Sequence, residues 1–212
     1  MEGDKTDLVY MTKQTLEKPG RSIRAEAART EILEAAAGIM RRKGYSDMSL
    51  RDVAAKVQKK AGSLYYHFAS KEELATEVMR IGVQATEFEV REVLAALSEN
   101  APPETRLFSA IHVHLEALLK RSDFVSSHIR CYPFVPDCIR HELRDVRRQY
   151  DRLWLDLIGD FLGVSASQHE VNYVRHILVG ALNQSLEWYN PNRDSIDDFA
   201  RQLERLLIGL KR

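Results

Sequence analysis

Residues 49–71, SLRDVAAKVQKKAGSLYYHFASK, constrain this chain more than any other stretch. Leu50, Val53, Ala54 and Val57 recur at helical spacing behind Ser49, a cap residue with Asp52 three positions on. A second helix, about Ala61 to His67, opens on the small residues Ala61, Gly62 and Ser63. Leu64 and Phe68 anchor it inward and leave Tyr65 and His67 outward; four successive aromatic side chains cannot all enter a core from one short helix. Two short helices at a tight turn, the second with a polar outer face, form a helix-turn-helix. Such a unit sets its second helix into the major groove of DNA.

The charge distribution agrees. The 212 residues carry no net charge, yet residues 21–71 hold 11 Lys and Arg against 5 Asp and Glu. Residues 72–212 hold 17 against 22, and residues 1–20 hold 3 against 4. A basic segment on a mildly acidic body suits a small DNA-binding head. The polar N-terminus has no signal-peptide pattern, and no apolar run is long enough to span a bilayer. Two cysteines, Cys131 and Cys138, make no disulfide framework, so the expected compartment is the cytoplasm.

The rest of the chain is punctuated as helices only. Residues 1–22 read as a flexible arm ending at Pro19-Gly20, with Arg21 and Arg24 able to reach a groove or the DNA backbone. The expected helices are about 25–43 stopped by Gly44, then the two of the reading unit, and about 71–97 capped by Ser70 with Glu73. After the break at Pro102-Pro103 come about 104–120, a shorter 123–131, and 137–162 after Pro133 and Pro136. The last two are about 167–189, stopped by Pro191, and 195–210. The expected fold is all-α with about nine helices: an arm (1–22), a DNA-binding domain (23–70) and a helical ligand-binding and dimerisation domain (71–212).

Three runs carry a resemblance: TEILEAAAGIMRRKGY, SLRDVAAKV and GSLYYHF followed by SKEEL. Residues 29–79 resemble the DNA-binding domain of the tetracycline-repressor (TetR) family. The resemblance implies a homodimer on an inverted-repeat operator, with an effector-binding body that controls release. Family DNA contacts fall on Ser49, Arg51, Gly62, Ser63, Tyr65, His67 and Lys71, and Lys60 joins them by its charge. One departure stands out. Between the two helices the family has Gly, an apolar residue and a small cap, where this chain has Gln58, Lys59 and Lys60. A left-handed backbone at Gln58 would cost about 1 kcal/mol relative to Gly. The added lysine charge would steepen the salt dependence of DNA binding.

Beyond residue 80 the likeness is one of architecture. Polar and aromatic residues on otherwise apolar helix faces are candidate effector contacts: His112, His128, Tyr132, Tyr150, Trp154, His176 and Asn183. Asn183 lies inside ILVGALNQSLEWY, where a buried amide needs partners. GALNQSLEWYNP also looks like a helix of relatives that take fatty acyl-coenzyme A; an aromatic effector fits equally. The last two helices are expected to pair with their copies. Val174, Leu178, Ala181, Leu182, Phe199, Leu203, Leu206, Leu207 and Leu210 are more apolar positions than one buried face requires. Enzymatic readings find no Gly-rich phosphate loop, GxSxG or HExxH. Cys138 with His141 would need a third ligand such as His128 or Cys131 to hold a metal, and no cofactor is expected. The competing class is a helical scaffold or ligand carrier whose head binds protein.

Overall fold

The computed structural model describes residues 23–210, so the expected arm, with Arg21, lies outside the described residues. Those residues form ten α-helices and no strand. They are α1 (Ile23–Lys43), α2 (Leu50–Lys56), α3 (Ala61–His67), α4 (Lys71–Ala96) and α5 (Pro103–Glu116). Next come α6 (Asp123–Cys131), α7 (Asp137–Glu142), α8 (Arg144–Leu162), α9 (Gln168–Trp188) and α10 (Ile196–Ile208). A π-helical turn, Ala117–Arg121, extends α5, and a 3₁₀ turn, Tyr132–Phe134, follows α6.

One expected helix, 137–162, is broken. The apolar spacing runs through Leu143, but Leu143 turns out of the helix (φ −89°, ψ −5°) and its N–H bonds back to Ile139. Neither proline nor glycine marks that break.

The described chain packs as two compact units. The first comprises residues up to 85 together with Asp123–Arg144. The second comprises Thr86–Ser122 and Asp145 onward. This differs from the division at residue 70 expected from the sequence: the first turns of α4, with α6 and α7, pack in the unit that holds the helix-turn-helix. Helix α4 belongs to both units without interruption.

In the first unit Ile32, Leu33, Met40, Val53, Leu64 and Phe68 are fully or almost fully buried. Gly44 (φ 80°) ends α1, and its N–H bonds to the Met40 carbonyl at 2.8 Å. Helix α6 lies along α1, tied by Arg41 to Asp123 (2.6 Å) and by Arg130 to the Arg41 carbonyl (3.2 Å). Gly82 allows α4 to approach α6 closely: a Cβ there would stand 2.4 Å from the Phe124 carbonyl oxygen. The second unit is built on Leu107, Ile111, Leu115, Leu157, Phe161 and Leu178, closed on one side by α10 packed along α5.

Candidate nucleic-acid interface and effector core

The reading unit starts with a closed capping box. Ser49 Oγ accepts the Asp52 N–H (3.1 Å), and the Asp52 carboxylate accepts the Ser49 N–H (3.2 Å). Two backbone donors at the start of the helix are satisfied and α2 is fixed in phase; the Ser49 hydroxyl is itself engaged with Asp52 at 2.7 Å. Helix α2 ends in a Schellman turn. The Lys59 N–H bonds to the Ala54 carbonyl (2.9 Å), the Gln58 N–H to Ala55 (3.2 Å), and Gln58 is left-handed at φ 54°. The turn is thus left-handed at a residue other than glycine, the residue that most favours that conformation.

The two lysines after Gln58 differ. Lys59 is half-buried and forms an ion pair with Glu31 of α1, so its charge is offset before any DNA arrives. Lys60 is exposed and stands at the start of α3. Gly62 and Ser63 follow on the exposed side, with open space around Gly62. Tyr65 and Tyr66 project furthest, 58% and 75% exposed.

The expectation of an outward His67 is corrected. Its ring is only 8% exposed and stands edge-on to Tyr66 at 5.1 Å. The reason is helical phase: Leu64, His67 and Phe68 share one face, which leaves Tyr66 outside. Lys71 is also held. Its ammonium donates to the Ser46 carbonyl (2.9 Å) and lies 4.4 Å above the Tyr45 ring, while the Tyr45 hydroxyl donates to Glu72 (2.9 Å). Hydrogen bonds from its own helix start and from Tyr45 hold the Glu72 carboxyl below its usual range. Arg51 is exposed on α2.

In the second unit three of the seven candidate effector residues meet. Tyr150, Trp154 and Asn183 gather around His114, which is not among the seven. Its Nδ1 lies 2.8 Å from the Tyr150 hydroxyl and its Nε2 lies 3.3 Å from Asn183 Oδ1. The imidazole stacks on Tyr150 (centroids 6.0 Å, planes 11° apart) and meets Trp154 edge-on at 5.5 Å. His114 is 3% exposed, and desolvation lowers its pKa to about 4, so it is neutral at physiological pH. Burial also pushes the Tyr150 hydroxyl well above its ordinary value. The available signal was register: His114 lies three residues after Ile111 and seven after Leu107, on the buried stripe of α5.

The other four candidates do not join this cluster. His112 faces outward and bonds Asp197 at 2.6 Å. His176 is exposed beside Arg175. His128 and Tyr132 pack together in the first unit, rings 5.5 Å apart. That unit also has a polar cleft of about 640 Å³, lined by Arg29, Glu72, Thr76, Glu77, Arg80 and Cys138 among others. Its charges are largely tied up: Glu77 bonds Arg80 at 2.6 Å and pairs with Arg29 at 3.4 Å. Among the described residues no three His, Cys, Asp or Glu side chains gather where a metal ion could be held.

Comparison with known proteins decides the family. Residues 32–78 match the family described as bacterial regulatory proteins, tetR family, and residues 100–210 match the tetracyclin repressor-like C-terminal domain. The chain belongs to the TetR family of transcriptional regulators. Among relatives, the HTH-type transcriptional repressor KstR2 of Rhodococcus jostii (strain RHA1) is 27% identical over 190 residues, covering 86% of this chain and 90% of that protein. Among solved structures, AibR in complex with isovaleryl coenzyme A and operator DNA superposes with a TM-score of 0.73 at 19% identity, covering 84% of this chain and 96% of that one. The fatty acid degradation regulator FadR of Bacillus halodurans superposes with a TM-score of 0.72 at 16% identity, covering 91% and 97%. At these identities the structures show a shared TetR fold.

The dimer candidates expected from the sequence lie on the last two helices, and the structure places most of them inside their own subunit. Val174, Leu178, Leu182, Leu203 and Leu207 are buried inside their own subunit. Ala181 and Phe199 are half-buried, and only Leu206 and Leu210 of the expected set are exposed. The apolar residues that α9 leaves outside are Tyr173, Ile177 (72% exposed) and Trp188, with Gly180 between them. Helix α9 thus has two apolar stripes, one of which closes its own core.

Proposed function

We propose that this chain is a transcriptional repressor that binds an inverted-repeat operator as a homodimer and leaves it when a small hydrophobic effector, such as an acyl-coenzyme A, occupies the second unit. The observation that carries the DNA reading is the outer face of α3: Lys60, Gly62, Ser63, Tyr65 and Tyr66 are exposed together on a helix whose approach is set by a closed capping box and a Schellman turn. Ser49, Arg51 and Lys71 flank it as backbone-positioning contacts, and residues 23–70 hold the reading helices. The exposed Tyr173, Ile177, Leu206 and Leu210 support self-association through α9 and α10. Helix α4, shared by both units, supports effector control: a ligand that prefers one of its positions biases the reading head. The relatives named as repressors, and the AibR complex with isovaleryl coenzyme A and operator DNA, support the same reading.

The test is selection of bound fragments from sheared genomic DNA by the purified protein at about 0.15 M salt, the physiological range. Enrichment of one inverted repeat is expected. Failure to enrich any sequence, with the protein folded, would sink the repressor reading in favour of a scaffold or carrier.

A further inference from the structure

The polar cleft of the first unit has one reactive wall. Cys138, on α7, is a free and exposed thiol, and Arg29 of α1 with Thr76 and the charged side chains of α4 form the other walls. The volume of about 640 Å³ is that of a small-molecule site. Most polar groups in it are already bonded: Glu77 to Arg29 and Arg80, Glu72 to Tyr45, and Glu73 to the Ala69 N–H. Thr76 is not. It is 7% exposed and lines the cleft, and among the described residues its hydroxyl makes no hydrogen bond. A hydroxyl so enclosed gains from a polar partner. The thiol also borders the reading head. Burial first, and then the bond to Glu72, push the Tyr45 hydroxyl up; the charge of the Cys138 sulfur adds to the rise, so sulfur and hydroxyl are neighbours. The Tyr45 ring in turn lies 4.4 Å under the Lys71 ammonium. Cys131 is no rival, being fully buried with its thiol on the Met40 carbonyl at 3.5 Å.

We infer that Cys138 is a modification site that takes a small thiol from its disulfide, that the added group lies in the cleft with its polar end on Thr76, and that the adduct loosens Lys71. The Cys138 thiolate attacks one sulfur of the disulfide. The old S–S bond breaks, a new one forms to Cys138, and the departing thiolate takes up the proton that Cys138 lost. Cys138 is oxidised, half of the disulfide is reduced, and an excess of thiol reverses the exchange. The added group lies against Glu72, the carboxylate that accepts the Tyr45 O–H at 2.9 Å. Tyr45 then no longer holds its ring fixed beneath Lys71. The consequence for DNA rests on the reading that Lys71 flanks the operator; the modification itself does not.

The test equilibrates the full chain with 2-hydroxyethyl disulfide. One adduct is expected, mapped by peptide mass spectrometry to Cys138, and none in Cys138→Ser. In Thr76→Val the adduct should be about fivefold less favourable, the loss of one hydrogen bond. Brief labelling with acetic anhydride reads Lys71 without DNA. Its acetylation should rise about fivefold in the adduct, with the helical circular dichroism unchanged, and stay at the parent's level in Cys138→Ser treated alike. No adduct at Cys138, an adduct as favourable in Thr76→Val as in the parent, or a Lys71 no more reactive in the adduct would each overturn the inference. On an enriched operator the adduct should bind about tenfold more weakly and recover with dithiothreitol. The lysine labelling uses no DNA, so loss of the repressor reading shows separately.

Discussion

At the scale of single residues, the turn between α2 and α3 holds a left-handed backbone at a residue that is not glycine, which is a source of strain. Gln58 holds φ 54° with its side chain exposed. Gln58→Gly is expected to stabilise the protein by about 1 kcal/mol, read as a higher urea midpoint at unchanged slope. The neighbouring lysines separate by partner. Lys60→Ala should lower the slope of log affinity against log salt on operator DNA by about 0.9, whereas Lys59→Ala, which frees Glu31, should leave it nearly unaltered. Titration of His114 gives a third outcome. Its pKa is about 4 when folded against 6.5 ordinarily, so between those values the unfolded chain binds the extra proton. Stability is then unaffected above pH 6.5 and falls as pH drops from 6.5 to 4, by on the order of 3 kcal/mol. Asp52 and Asp194 are lowered from 3.8 and lose their contributions only at lower pH. A denaturation series on His114→Gln that keeps the full decline over that window would count against the assignment.

At the scale of elements, most boundaries were legible because they rest on local chemistry. Ser49 with Asp52, Ser70 with Glu73, Gly44 and Pro102-Pro103 each act through the backbone of the residues beside them. The left-handed turn at Gln58 has no such local mark, and only the resemblance raised it, as a condition. The break at Leu143 was not legible, because the apolar spacing continues through it and the interruption belongs to packing between elements. The π-turn at Ala117–Arg121 left no sequence mark either. Gly82 shows the limit from the other side: read along the helix it is a tolerated weak point, but in the fold it is a contact. Gly82→Ala should destabilise by about 1 to 3 kcal/mol, because the obstacle is the Phe124 backbone and has no rotamer to yield. A thermal midpoint equal to that of the parent would show that α4 and α6 can part without loss.

At the scale of the whole molecule, the sequence announced more apolar surface on α9 and α10 than one subunit needs, but not which stripe was surplus. Hydrophobic residues on both sides of a helix leave the inner face undecided until its neighbours are placed. The structure assigns Ile177 to the outside and Leu178 to the core. Ile177→Glu is therefore expected to leave the fold intact and weaken self-association about a hundredfold, since each dimer loses two copies of a contact of about 1.5 kcal/mol or more. Sedimentation velocity across a dilution series measures this, and a dimer as tight as the parent's would place the interface elsewhere.

The chain has two tryptophans, and the fold has separated them. Trp154 is sealed beside His114, while Trp188 is partly open to solvent, its ring 4.9 Å from Phe199. The first should emit to the blue, ignore iodide and dim when the adjacent imidazole gains a proton. The second should emit to the red and lose its quenching by iodide when another subunit covers it. The protein thus carries its own two-colour indicator, one signal for the sensing core and one for assembly, readable in a single unlabelled emission spectrum.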